Sequence, residues 1–175
     1  KSIGTQNSSQ SIEFINIKVT FKIAIILLLT LFNKVPQALE QIMQAVNNDP
    51  LSLVINTDVA LIYFIQKNYQ LAIEKCTTVL DIDPNFILAL FVTGLAHEQL
   101  NDLDVAITYF QRACDGYGEN TIVKGALIHA LGMAGRKAEA QKLFEELMNL
   151  PGSLYISPYT VATAYLGLSK TNDAL

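Results

Sequence analysis

The sequence lacks tryptophan altogether and contains little cysteine, glycine or proline. Its 175 residues include 2 Cys, 9 Gly and 5 Pro, whereas 51% of them are hydrophobic. Because apolar residues are abundant and chain-breaking residues are scarce, a disordered or low-complexity chain is excluded. Cys76 and Cys114 are far apart and form no Cys-x-x-Cys pair. They therefore predict neither a disulfide framework nor a zinc site, but two small buried thiols in a reducing compartment.

A strong excess of charge of either sign is also missing. The chain has 12 Lys and Arg against 16 Asp and Glu, which gives a formal net charge of −4. No basic run of the kind that binds nucleic acid is present, and no acidic tail marks a strongly charged partner. We therefore expect no nucleic-acid partner.

The motifs that carry catalysis are absent as well. The sequence contains no phosphate-binding Gly-x-x-x-x-Gly-Lys-Ser/Thr loop, no His-Glu-x-x-His and no Gly-x-Ser-x-Gly. Gly116-Tyr117-Gly118 includes no lysine that could reach a phosphate, so it is typical of a turn. Neither His97 nor His129 has the sequence neighbours that a metal site needs. The sequence predicts a protein that is not an enzyme and binds no cofactor or metal.

One long hydrophobic run exists, from Val19 to Phe32. It is shorter than the roughly 20 residues that cross a bilayer, and it contains Lys22. No small-residue cleavage site follows it, as a signal peptide would require. We predict a buried helix, no membrane partner and a cytoplasmic location. The alternative is a membrane-tethered assembly factor that uses residues 19–32 as its anchor.

A period of 34 residues organises most of the chain. "NKVPQALEQIMQAVNNDP" at 33–50 aligns without a gap on "KNYQLAIEKCTTVLDIDP" at 67–84. Five alanines stand one period apart, at Ala38, Ala72, Ala106, Ala140 and Ala174. Similar residues at the same position of successive periods, which we call a repeat column, are the signature of a repeat array in which stacked units bury a continuous core.

Each period contains two amphipathic segments separated by turn residues. Apolar residues recur at three- and four-residue intervals, as in Ala106, Ile107, Phe110 and Ala113. Asparagine, glycine and proline mark the ends of the segments. The predicted helices span residues 19–32, 36–47, 52–66, 70–81, 86–99, 103–115, 121–134, 137–149 and 158–168.

Small residues are expected where the two helices of a pair meet. We predict that Gly94 on a first helix lets the second helix approach and that an alanine of the second helix packs there. Ile26 and Ile128 are bulky at the equivalent positions. We therefore expect their helix pairs to pack less closely.

These columns resemble the tetratricopeptide repeat, TPR. The resemblance is carried by Gly94-Leu95-Ala96-His97, by Ala106 to Phe110 and by Ala140 to Phe144. It implies an all-α, right-handed α-solenoid of helix–turn–helix repeats. The predicted repeats span residues 19–50, 51–84, 85–118, 119–152 and, incompletely, 153–175, after an irregular lead-in at 1–18. The final stretch is also similar to the last repeat of TPR arrays in large bacterial signalling proteins.

The resemblance also implies where a partner would bind. In this family the first helices of the repeats line a concave groove that takes an extended peptide or an amphipathic helix. The Lys, Arg and Asn residues with which some members clamp a terminal carboxylate are missing from the groove positions of this sequence. The predicted groove residues are Leu61, Phe64, Ile65, Phe91, Glu98, His129, Tyr159 and Thr163.

The sequence therefore predicts a protein–protein interaction module without catalysis. Its partner would be another protein or a segment of the same longer chain. The second possibility corresponds to a regulatory TPR segment of a larger bacterial signalling enzyme or transcriptional regulator. The array ends within its last repeat, so we expect exposure of Val161, Tyr165 and Leu168 and self-association through this end.

Overall fold

The computed structural model describes residues 42–44, 46–116, 120–151 and 155–168. All the regular structure in these ranges is helical, which confirms the predicted all-α class. Residues 42–44 and 46–48 are helical. The helices that follow them are α1 (Leu53–Ile65), α2 (Tyr69–Ile82), α3 (Ile87–Gln99), α4 (Leu103–Cys114), α5 (Thr121–Met133), α6 (Lys137–Met148) and α7 (Pro158–Gly167).

The predicted lead-in and the predicted helix at 19–32 lie outside the described residues. Among the helices that are described, none is long and apolar enough to cross a membrane.

Side-chain caps fix the start of three first helices. Ser52 accepts a hydrogen bond from the N–H of Ile55 at 3.4 Å, and Asn120 accepts one from Val123 at 3.2 Å. At α7, Ser157 accepts from the N–H of Thr160 and Pro158 takes the first helical position. These contacts satisfy N–H groups that have no partner inside the helix, so each helix begins where the sequence places its cap.

Each of α1, α3 and α5 ends in the same turn. Lys67, Asn101 and Gly135 stand one period apart and have positive φ angles of 62°, 63° and 78°. The N–H of the following residue donates back into the helix, as Asn68 does to the carbonyl of Tyr63 at 2.9 Å. This is a Schellman motif, which reverses the chain within a few residues. The second helix of each pair therefore folds back along the first.

The helices form two layers. Along the chain, α1 contacts α3, α3 contacts α5, and α5 contacts α7, whereas the second helices α2, α4 and α6 meet one another marginally at most. Instead, α2 packs between α1 and α3, and α4 packs between α3 and α5. Because the first helices lie closer together, they form the inner side of a curved array. We call the surface of this inner layer that faces away from the second helices the groove face.

The repeat columns form the core. Ala72, Ala106 and Ala140 are completely buried. The ring of Phe110 fills the space beside Gly94, where an added Cβ would stand 2.5 Å from a ring carbon. The three atoms nearest to that Cβ all belong to Phe110, one turn after the buried Ala106 on α4. The packing of an alanine at Gly94 stays a prediction.

The third helix pair is less closely packed than the second. Ile128 is fully buried at the position equivalent to Gly94, and α5 and α6 approach each other less closely than α3 and α4 do. Phe144 packs against Tyr165 of α7, with ring centroids 5.0 Å apart. This agrees with the expectation drawn from the bulk of Ile128, while Ile26 lies outside the described residues.

Helix α7 docks differently from the other first helices. Its backbone lies close to α5 and not to α6. A Cβ built on Gly132 would overlap the carbonyl group of Gly167, and one built on Gly167 would overlap the backbone of His129. A Cβ built on Gly125 would lie 2.8 Å from the methyl carbon of Thr160. Glycine on both helices therefore permits a backbone approach that no larger residue would allow.

This docking corrects the expectation that Val161, Tyr165 and Leu168 are exposed. All three are partly buried, and Tyr165 and Leu168 pack against the main core cluster. The exposed apolar side chains of α7 are Tyr159 and Leu166. The reason is the close approach to α5, which turns Tyr165 toward Phe144.

Candidate functional site

The predicted groove residues lie on the first helices in three different environments. Leu61 is buried in the core between α1 and α3, and Ile65 packs against the same cluster. Glu98 and His129 meet on the groove face. Tyr159 is exposed, and Thr163 is partly buried with its hydroxyl donating to the carbonyl of residue 159 at 2.9 Å. The structure thus brings together some of these residues and uses others for packing.

Phe64 and Phe91 are partly buried and pair with aromatic rings of the second helices. The ring centroid of Phe64 lies 5.6 Å from that of Tyr69, and the centroid of Phe91 lies 5.9 Å from that of Phe110. Both pairs are tilted, as aromatic contacts prefer. Each phenylalanine therefore presents only part of its surface to the groove face.

Glu98 and His129 form the polar centre of the groove face. The Nδ1 atom of His129 lies 2.8 Å from a carboxylate oxygen of Glu98, although the residues are 31 positions apart. The side chain of Glu98 is 11% exposed and that of His129 is 25% exposed. A carboxylate has no proton to donate, so Nδ1 carries the hydrogen of this bond. The contact joins α3 to α5 and fixes the orientation of the imidazole.

Exposed apolar residues also occur on the first helices. Val54 of α1 is 44% exposed, Ile122 of α5 is 41% exposed and Met133 of α5 is 57% exposed. Val54 and Ile122 are not among the predicted groove residues. The signal that could have identified them is the repeat itself, since they stand two periods apart at the same position of their helices.

On α5, part of the groove face is covered by α7. The equivalents of Phe91 and Glu98 one period later are Gly125 and Gly132, both of which pack against α7. The chain's own helix therefore occupies the positions at which a partner would contact α5. The accessible groove face therefore extends over α1 and α3 and includes His129 and Met133 of α5.

A cavity of about 400 Å³ lies on the opposite side of the molecule, between α4, α5 and α6. Its floor is apolar, formed by Cys114, Leu127 and Leu143, and its rim carries charges of both signs, such as Lys124 and Glu146. Mixed charge on an open rim selects no particular ligand.

The two cysteines behave as packing residues. Neither belongs to a disulfide. Burial raises the pKa of the Cys76 thiol to about 12, while a hydrogen bond with Thr93 opposes this effect. A thiol that stays protonated is a poor nucleophile and a poor metal ligand. In the part of the chain that the structure describes, no three His, Cys, Asp or Glu side chains are arranged to hold a metal ion.

Comparison with known proteins places the chain among repeat proteins. The family model for the tetratricopeptide repeat matches residues 88–121, which run from α3 to the start of α5. Peptidyl-prolyl cis-trans isomerase FKBP4 of Bos taurus is 29% identical over 102 residues, which are 55% of this chain and 22% of that protein. FKBP4 of Mus musculus is 32% identical over 77 residues, which are 44% of this chain and 17% of that protein. The chain spans about a fifth of the length of these relatives.

Two solved structures share the fold. MamA superposes with a TM-score of 0.62 at 16% identity, covering 83% of this chain and 85% of MamA. YrrB, described as a TPR protein with an unusual peptide-binding site, superposes with a TM-score of 0.57 at 19% identity, covering 88% of this chain and 79% of YrrB. At these identities the likeness establishes the solenoid of helical hairpins and nothing about partners.

Proposed function

The chain is a tetratricopeptide-repeat protein, and we propose from that premise that it binds a peptide or an amphipathic helix of another protein on its groove face. The role is that of a scaffold and requires no catalytic step. A cytoplasmic location suits it, since both cysteines lie outside any disulfide. The observation that carries the proposal is that the inner helices present exposed apolar side chains together with the Glu98–His129 pair.

Several physical features support binding at this face. The first helices are held by hairpin turns and by the core, so the face exists before a partner arrives. A preformed surface avoids the entropy cost of ordering the receptor. Apolar side chains separated by helical spacing match the anchor residues of an amphipathic helix. YrrB, which shares the fold, is described as having a peptide-binding site.

The test is a display selection of random 12-residue peptides against the chain, followed by affinity measurement of the enriched peptides. We expect Met133→Glu to weaken binding at least tenfold, because it places a charge on the groove face. Val105→Glu is the matched control, since Val105 is 41% exposed but belongs to a second helix. Equal effects of both substitutions, or none from Met133→Glu, would rule out this face as the binding site.

A segment of the same polypeptide is the second candidate occupant. It is favoured by α7, which already packs on the groove positions Gly125 and Gly132 of α5. If a further segment of a longer chain occupies the remaining face, that longer chain should bind the selected peptides at least tenfold more weakly. Equal affinity of the two forms would leave an external protein as the occupant.

A further inference from the structure

The groove face carries one carboxylate and no basic side chain among the residues that the structure describes. Its positions on α1 and α3 are occupied by apolar residues, Thr57, Gln99 and Glu98, and α5 adds His129. The carboxylate is mostly buried, so its charge is only partly screened by water. An apolar surface with a single shielded negative charge attracts a partner with a single positive charge.

The Glu98–His129 pair has two atoms left for a ligand. One oxygen of Glu98 accepts from Nδ1 of His129. Within the described chain, neither the second oxygen of Glu98 nor Nε2 of His129 has a hydrogen-bond partner. In a neutral imidazole whose Nδ1 carries the proton, Nε2 is an acceptor. Both atoms are accessible to water. Nε2 points away from the carboxylate because the two ring nitrogens face opposite sides of the imidazole, so a basic head group that docks at the pair donates to the second oxygen of Glu98.

The side chains next to the pair suit the rest of a basic residue. Leu95 and Phe91 lie one and two turns before Glu98 on the same side of α3, and both are partly buried. The methylene groups of lysine or arginine pack against such apolar surfaces while the charged head reaches a polar group. A guanidinium also stacks on an aromatic ring and offers five donors in a plane.

We propose that the Glu98–His129 pair is the docking point for one lysine or arginine side chain of the bound peptide, flanked by apolar residues. This inference rests on the proposed function. It assigns to the groove a partner whose charge is opposite to that of the terminal carboxylate that clamp-type grooves recognise. The basic head group donates to the second oxygen of Glu98, and the flanking apolar residues contact exposed apolar side chains of the groove face such as Met133.

The experiment repeats the peptide selection in parallel with the native chain and with Glu98→Gln. The glutamine can still accept the hydrogen bond from His129, so the fold is retained while the charge is removed. We expect peptides selected by the native chain to carry Lys or Arg at one position among apolar residues. Peptides selected by Glu98→Gln should keep the apolar residues and lose that preference.

A double-mutant cycle then measures the contact directly. Replacing the basic residue of a selected peptide by Gln should weaken binding to the native chain at least tenfold and binding to Glu98→Gln less than threefold. Gln99 is exposed and lies next to Glu98 in the sequence, so Gln99→Lys leaves the core unchanged. This substitution should weaken the binding of the basic peptides more than the binding of the same peptides with Gln in place of the basic residue.

The outcomes separate the two proposals. One outcome is that Met133→Glu weakens the binding of the selected peptides but these peptides are acidic or lack a basic residue. This outcome would overturn the docking of a cation and leave the proposed function standing. A basic preference that survives in Glu98→Gln would also overturn it. If no peptide depends on Met133, the proposed function fails and this inference fails with it.

Discussion

At the scale of single residues, the hairpin turns show how backbone geometry constrains the choice of side chain. Lys67, Asn101 and Gly135 occupy equivalent left-handed positions. Glycine reaches this region without strain, asparagine tolerates it, and lysine does so at a cost. Asparagine and glycine were predicted to mark the ends of the segments, and Asn68, Asn101 and Gly135 are such residues. The sequence did not predict the strained lysine, because nothing in its chemistry marks a left-handed conformation.

We expect Lys67→Gly to raise the free energy of unfolding by about 0.5–1 kcal/mol, since it relieves this strain. Asn101→Gly should change the free energy of unfolding by only about a few tenths of a kcal/mol. Gly135→Ala should lower it by about 1 kcal/mol, although no atom stands near the added methyl group. Urea unfolding with an unchanged m-value is the measurement. A destabilised Lys67→Gly protein would contradict this explanation.

The two thiols should differ in reactivity. Cys76 is buried with a pKa of about 12, whereas Cys114 is partly exposed at the cavity. At pH 8, a disulfide reagent such as Ellman's reagent should modify one thiol of the folded chain and the second only after unfolding. Cys114→Ser should abolish the first reaction. Rapid modification of both thiols under native conditions would show that Cys76 is more accessible than the structure indicates.

At the scale of helices, sequence reasoning worked where local signals decide the outcome. The predicted helices at 52–66 and 103–115 correspond to α1 and α4 within one residue at each end, and the others from residue 52 onward agree as well. Caps and apolar periodicity are local, so one sequence contains them. How closely two helices approach is not a local property, and the docking of α7 on α5 was not predicted. The signal for it is the glycine at positions 125, 132 and 167.

Gly132→Ala should detach α7 from α5. The added methyl group would overlap backbone atoms of Gly167, which cannot rotate away as a side chain could. We expect a loss of about 1–3 kcal/mol and faster amide exchange across α7 than across α3. Met133→Ala is the control on the same helix, because Met133 is 57% exposed. Unchanged exchange across α7 in Gly132→Ala would mean that the helices are further apart than described.

At the scale of the whole molecule, the sequence predicted the groove but not its detailed composition. Glu98 and His129 were both predicted to line it, yet their contact depends on the distance between α3 and α5. In the same way, the close approach of α1 and α3 makes Leu61 a core residue. A single sequence specifies which residues share a face, whereas the spacing of helices decides which of them remain accessible.

Self-association through the last helix stays a prediction. Tyr155 and Tyr159 are 78% and 75% exposed, and Leu166 is exposed beside them. Large apolar side chains grouped at one end favour a weak contact between copies, with a Kd on the order of 0.1–1 mM. Sedimentation equilibrium should show an average mass that rises with concentration, and Tyr159→Lys should suppress the rise. A constant monomer mass in the native chain would count against this contact.

The way the helices are connected also bears on the speed of folding. Each helix from α1 to α5 packs mainly on its neighbours along the chain, α6 packs on α5, and α7 also packs on α5. Residues that must find one another are therefore close in sequence, so little loop entropy is lost before contacts form. Chains with such local topology fold in microseconds to milliseconds. Any of the hairpins can serve as the nucleus to which its neighbours add.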